Sequence, residues 1–176
     1  MMQLNNEYEY ISQTKVFGIP LIHIKGHGTA KGIVAIGPLA LGIISIGILP
    51  AGLISLGALS TGILLAIGGL SLSLFTAIGG VALSFYLSIG GVGISYFYSL
   101  GGAAIANHCA IGGAAGAKLA VGASAKGNLA IFSQKGYGQT VIDYTKVSAE
   151  YVLQSIKELY PYISGWFIEL VKLTIR

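Results

Sequence analysis

The run GIVAIGPLALGIISIGILPAGLISLGALSTGILLAIGG, residues 32–69, decides the fold. Its glycines stand at 32, 37, 42, 47, 52, 57 and 62, a strict period of five. From Gly68 the pattern lengthens to eleven, marked by the pairs Gly68-Gly69, Gly79-Gly80, Gly90-Gly91, Gly101-Gly102 and Gly112-Gly113. Each eleven splits into five plus six, as in GGVAL (79–83) followed by SFYLSI (84–89). Fives return as AKLAV, GASAK and GNLAI over residues 117–131. Within a unit the first column is small and the third is mainly Leu, Ile or Val. The fourth is usually Ala or Ser, and the fifth is mostly Ile or Leu in the early units.

Neither a helix nor a flat strand explains a period of five. On an α-helix of 3.6 residues per turn, a step of five advances about 140° beyond a full turn. The glycines would scatter around such a helix, unlike the four-residue spacing that packs membrane helices. Each would also cost it roughly 1 kcal/mol relative to Ala. On a strand an odd period flips the glycines between faces. A chain that turns a corner every five residues gives the period a meaning, and that chain is a mainly β solenoid. The rival is a bundle of Gly-rich transmembrane helices, a channel or pore-forming effector. The uncharged run from Gly32 to Ala117 exceeds several spans of about 20 residues.

Composition points to an apolar exterior. The 176 residues are 54% hydrophobic and 9% charged, against roughly 25% charged in ordinary soluble domains. No Asp or Glu occurs between Glu9 and Asp143. Such a stretch cannot face water without large apolar patches, which mark interaction or membrane contact. The net charge of +4 is scattered over the ends, with no dense basic stripe for nucleic acid. Cys109 is the single cysteine, so an intrachain disulfide is excluded. The opening MMQLNNEYEY does not read as a secretory signal, and a membrane-associated or cytoplasmic location is expected.

The small first column, Leu/Ile third column and Ala/Ser fourth column over residues 32–134 resemble the pentapeptide-repeat family. That resemblance implies a right-handed, four-sided β-helix with about twenty residues per coil. It also implies that the first and third columns point inward. The family's outward second and fifth columns are usually polar. Here they read Ile33, Ile43, Ile48 and Ile63, and Ile36, Leu41, Ile46 and Leu56. These eight residues form the expected outward apolar interaction face.

The eleven-residue units place an extra residue in aromatic segments, giving an expected ridge of Phe75, Phe85, Tyr86, Tyr96, Phe97 and Tyr98. With coils of about 22 residues, Phe75 would stack over Phe97 and Tyr86 over His108. Such aromatics either fill a widened corner or present a ridge to lipid or a partner.

The ends differ from the middle. Residues 1–31 carry short strand-like runs and read as an N-terminal lead-in. Residues 135–176 read as a C-terminal helical segment: from residue 139 glycine nearly vanishes and a helical pattern appears, with Gln154, Glu158, Pro161, Gly165, Glu169, Lys172 and Arg176 as a polar or small stripe. Pro161 splits or kinks this segment. Trp166, Phe167 and Leu170 on its broad apolar side serve as a cap across the last coil, or as an interfacial anchor.

Catalytic chemistry finds little support. His23 and His27 stand in an extended stretch without a carboxylate nearby in sequence, an incidental pair rather than a metal site. His108-Cys109 fits a buried position better than a nucleophile and base. The Gly-Gly pairs lack the lysine of a phosphate loop. The expectation is therefore a non-enzymatic structural or interaction protein without cofactor, metal, nucleic acid or small-molecule substrate. Its expected partners are copies of itself and a lipid membrane.

Overall fold

The computed structural model describes residues 8–175; the first seven residues and Arg176 lie outside the described residues. The protein is mainly β, 69% strand, a β-solenoid of stacked parallel coils followed by two helices. It divides into two compact units, Met1–Gly91 and Val92–Arg176. The first holds β1 (Glu9–Ile11), β2 (Lys15–Val16), β3 (Ile19–Pro20), β4 (Ile22–Lys25), β5 (Thr29–Ser73) and β6 (Thr76–Ser84). The strand β7 (Leu87–Ser95) contains the division. The second holds β8 (Tyr98–Ala106), β9 (Cys109–Gly116), β10 (Leu119–Asp143), α1 (Ala149–Leu159) and α2 (Gly165–Thr174).

Strand register corrects the expected coil. In the first unit Ala66 lies beside Ala77, Gly68 beside Gly79 and Leu70 beside Val81, all in parallel. In the second, Tyr98 lies beside Cys109, and Cys109 in turn beside Leu119. Over the strict fives, Gly47 sits against the Gly37 carbonyl and Gly57 against that of Gly47. A coil therefore closes in ten or eleven residues. It has two sides and two corners, half the twenty or 22 residues and four sides expected above. Phe97 accordingly stacks on His108, at a separation of eleven residues where 22 was expected.

The two sides face each other across one column of very small residues. Ala35, Ser45, Ser55 and Ala66 are buried on one side, and Ala40, Pro50, Ser60 and Ser71 on the other. The second unit has two buried columns of the same kind, Ser99, Ala110, Ala120 and Ala130 in one and Ala104, Ala115 and Ala125 in the other. These occupy the fourth position of a five-residue unit, or the fifth of a six-residue unit at Ala66, Ser99 and Ala110. Sheets with ordinary side chains stand about 10 Å apart; methyl- and hydroxymethyl-sized groups let these two approach more closely. The third column does not point inward. Leu39, Ile44, Leu49, Leu59, Leu64 and Leu70 are exposed. Alternation along a strand forces this, since each neighbour of an inward residue points out.

The glycine column has its own cause. A Cβ on Gly47, Gly57, Gly79 or Gly122 would overlap the carbonyl oxygen of the glycine one coil earlier. The chain comes so close to itself at this corner that only hydrogen fits.

At the start of the first unit β1 lies antiparallel on β4, pairing Tyr10 with Ile24. In the second unit β10 runs on to Asp143 before the helices begin. Ser148 caps α1, accepting from the Tyr151 amide at 3.4 Å. The break around Pro161 separates α1 from α2. Among the described residues no helix is long and apolar enough to cross a membrane, and the Gly-rich segments are strands. This overturns the reading of those segments as transmembrane helices.

Candidate interaction surfaces

Both outer sides of the first unit are apolar and uncovered by anything within that unit. Of the eight outward positions anticipated, Leu41, Ile43, Ile46, Ile48 and Ile63 are exposed, reaching 60% at Ile48. Ile33, Ile36 and Leu56 are half-buried. The third-column residues add to the same surface. Ile44 and Ile46 flank buried Ser45 and emerge on one side; Leu39 and Leu41 flank buried Ala40 and emerge on the other.

One corner of the coil carries the extra residue of each eleven, and there the chain bends at 74–75 and 85–86 in the first unit. Phe75, Phe85 and Tyr86 stand exposed on it. The bend keeps its backbone bonds: the Phe75 amide donates to Ile63 at 3.0 Å and the Leu87 amide to Phe75 at 2.9 Å. In the second unit the equivalent corner holds Tyr96, exposed, and Phe97, half-buried. His108 lies face-to-face with Phe97, ring centres 5.0 Å apart and 9° from parallel. Tyr98, expected on this ridge, is instead buried and directed at the helices.

The helices of the second unit lie along a flank of the coils, and not across the last one. Tyr98 meets Trp166 at 4.9 Å and Phe167 at 5.4 Å, and its hydroxyl bonds Ser164 at 3.1 Å. The Tyr160 hydroxyl donates to the Lys118 carbonyl at 3.2 Å. On that flank Cys109, Ile111, Leu119, Val121, Leu129 and Ile131 are buried, although each neighbours an inward alanine and so faces outward. Val152, Ile156, Phe167 and Val171 of the helices are fully buried in return. Phe167 is thus occupied within the fold, Leu170 is half-buried, and Trp166 keeps 39% of its surface exposed.

Between the aromatic corner and the α1–α2 connection lies a cleft of about 330 Å³, lined by Phe97, Tyr98, His108, Cys109, Leu159, Tyr160, Pro161, Tyr162 and Ile163. Burial pushes the Cys109 thiol up to about 12, which keeps it protonated and weakly nucleophilic. Burial, with a smaller contribution from Cys109, also raises the Tyr160 hydroxyl.

At the start of the first unit, strand pairing supplies the carboxylate that sequence distance concealed. His23 occupies the inner column beside Ala35. Its Nε2–H donates to Glu9 at 3.0 Å while Nδ1 accepts the Lys31 amide at 3.0 Å. Lys25 reaches the same Glu9 oxygen at 3.3 Å. Hydrogen bonds from His23 and then Lys25 hold the Glu9 carboxyl below its ordinary range. The cluster closes the first coil with polar groups, and His27 stands apart and exposed. Among the described residues no three His, Cys, Asp or Glu side chains are grouped to hold a metal ion.

Compared with known proteins, the chain matches no family model, no curated protein and no solved structure.

Proposed function

We propose that this protein is a non-enzymatic structural or interaction module that works by burying the apolar sides of its first unit, in an assembly of its own copies or against a membrane. The observation that carries the reading is a contrast between flanks. In the second unit the apolar flank is covered by α1 and α2. In the first unit Leu and Ile emerge on both sides and no element of that unit covers them.

Magnitude supports the same reading. Burying even ~500 Å² of such surface gains roughly 12 kcal/mol at about 25 cal/mol per Å², before the costs of association. Charged side chains that would keep this region dispersed are missing from Gly32 to Ala117.

The test is hydrodynamic. Purified full-length protein is passed over size exclusion with light scattering, with and without detergent, beside flotation with lipid vesicles. The expected result is large assemblies or vesicle recovery without detergent, and a small particle with it. Ile46→Lys should weaken either outcome while leaving the β-type circular dichroism unchanged. A monodisperse monomer that ignores both detergent and vesicles would sink the reading.

A further inference from the structure

The geometry points to a lipid bilayer as the partner of the first unit, with the coils stacked along the membrane normal so that the charge-free part crosses the hydrocarbon. This rests on the proposed burial of the apolar sides and names what buries them.

Four observations carry it, each within the first unit. The first is length. Gly37, Gly47, Gly57, Gly68, Gly79 and Gly90 mark six successive layers, each placed on the one before. At about 4.8 Å per step the five steps from Gly37 to Gly90 rise roughly 24 Å, or roughly 29 Å with the half-layer beyond each end, and a bilayer's hydrocarbon core is about 30 Å thick.

The second is that the apolar surface goes all the way round. From Val34 to Ile89 the residues flanking the inner columns are Leu, Ile or Val, save Ala51, Thr61 and Thr76. The corners add Ile43, Ile48, Ile63 and Phe75, each exposed. An interface with one protein partner needs one apolar face, whereas hydrocarbon contacts every face.

The third is backbone satisfaction. A bilayer admits only structures whose peptide groups find partners inside the protein, which is why open sheet edges are not exposed to lipid. A solenoid meets that condition on its sides, because each coil bonds to the coils before and after it along the axis. Even the bent corner complies. The amides of Leu74, Phe75, Phe85 and Leu87 donate to Gly62, Ile63, Leu74 and Phe75 at 3.3, 3.0, 3.2 and 2.9 Å.

The fourth is what bounds the stack. Gly37 sits directly on the layer of Lys25, where Glu9 and His23 form their polar cluster. Tyr8 and Tyr10 are exposed at that edge, and Tyr86 is exposed near the last layer. Tyrosines at both limits with lysine outside one of them match the interfacial belts of membrane proteins.

The experiment reconstitutes the full chain into vesicles of dioleoyl phosphatidylcholine and phosphatidylglycerol. Flotation is followed by polarised infrared spectroscopy of oriented bilayers. The expected result is flotation with the protein and an amide I dichroism that sets the β carbonyls along the membrane normal. Leu59→Lys, in the middle of the stack, should reduce the vesicle-bound fraction by more than about tenfold, a charge at hydrocarbon depth being strongly disfavoured. Its circular dichroism should be unchanged in detergent, and Tyr137→Lys in the second unit should float as the parent does. Carbonyls lying in the bilayer plane would overturn the crossing orientation. A water-soluble assembly that ignores vesicles would overturn the lipid partner while leaving the burial of the apolar sides standing. A soluble monomer would overturn both.

Discussion

Neighbouring glycines of one pair meet different surroundings. A Cβ on Gly79 would overlap the Gly68 carbonyl, whereas one on Gly80 would stop 3.0 Å from the Gly69 oxygen. Gly79→Ala is therefore expected to destabilise by about 2–3 kcal/mol and Gly80→Ala by about 1 or less, read from denaturant melts in detergent. Inner-column Ser45→Leu should unfold its coil, while Ile44→Lys and Ile46→Lys should both leave it folded. The outward position of Ile44 was not legible from the third column's chemistry, because Leu and Ile read as core by habit. The signal lay one residue on. Position four accepts Ala, Ser and little larger, and the column with the narrowest size range is the one enclosed on all sides. Cys109 gives a pH test with a definite sign. Burial holds the folded thiol at about 12, above its ordinary value of 9.0, so its contribution to stability is full below pH 9 and lost as pH rises towards 12. Thiol labelling at neutral pH should be slow in the native protein and fast in urea.

At the scale of elements, α1 and α2 show what covering a flank requires. Their amphipathic pattern was plain in Val152, Ile156, Phe167 and Val171, all fully buried. Where they dock was not, because the receiving surface is an outward set of strand residues whose burial no local pattern announces. Tyr98 is the clearest case: in sequence it is one more aromatic of a bulged corner, and in space it is the contact for Phe167. Phe167→Ala should cost about 3–5 kcal/mol by removing a fully buried ring. Its loss should uncover Leu119 and Leu129 to a dye that fluoresces on apolar surface. Ser148→Ala should cost only about 1 kcal/mol, as expected for a lost N-cap.

For the molecule as a whole, coil length is the property that repeats everywhere. A period of five announces a corner every five residues, but both a two-sided and a four-sided coil satisfy it. The eleven-residue units leave the same choice, since an extra residue every eleven stacks in a coil of eleven or, on alternate corners, in one of 22. The pairing of Phe97 with His108 and of Gly68 with Gly79, each eleven apart, requires the shorter coil. Removing residues 43–52, one full coil, should therefore leave a folded protein. Removing residues 43–47 should not, because every later residue would change sides. Circular dichroism and protease resistance of the two deletions in detergent distinguish them.

The methyl-sized interior carries a consequence for motion. Alanine and glycine have no side-chain rotamers to lose on ordering, and serine has few. Their burial freezes little beyond the backbone, whereas outward Leu and Ile side chains surrender their torsional freedom only when something covers them. Methyl relaxation should accordingly find Ala35, Ala40 and Ala66 rigid and the leucines around them mobile. The leucines' slowing would then report when, and how completely, a partner has arrived.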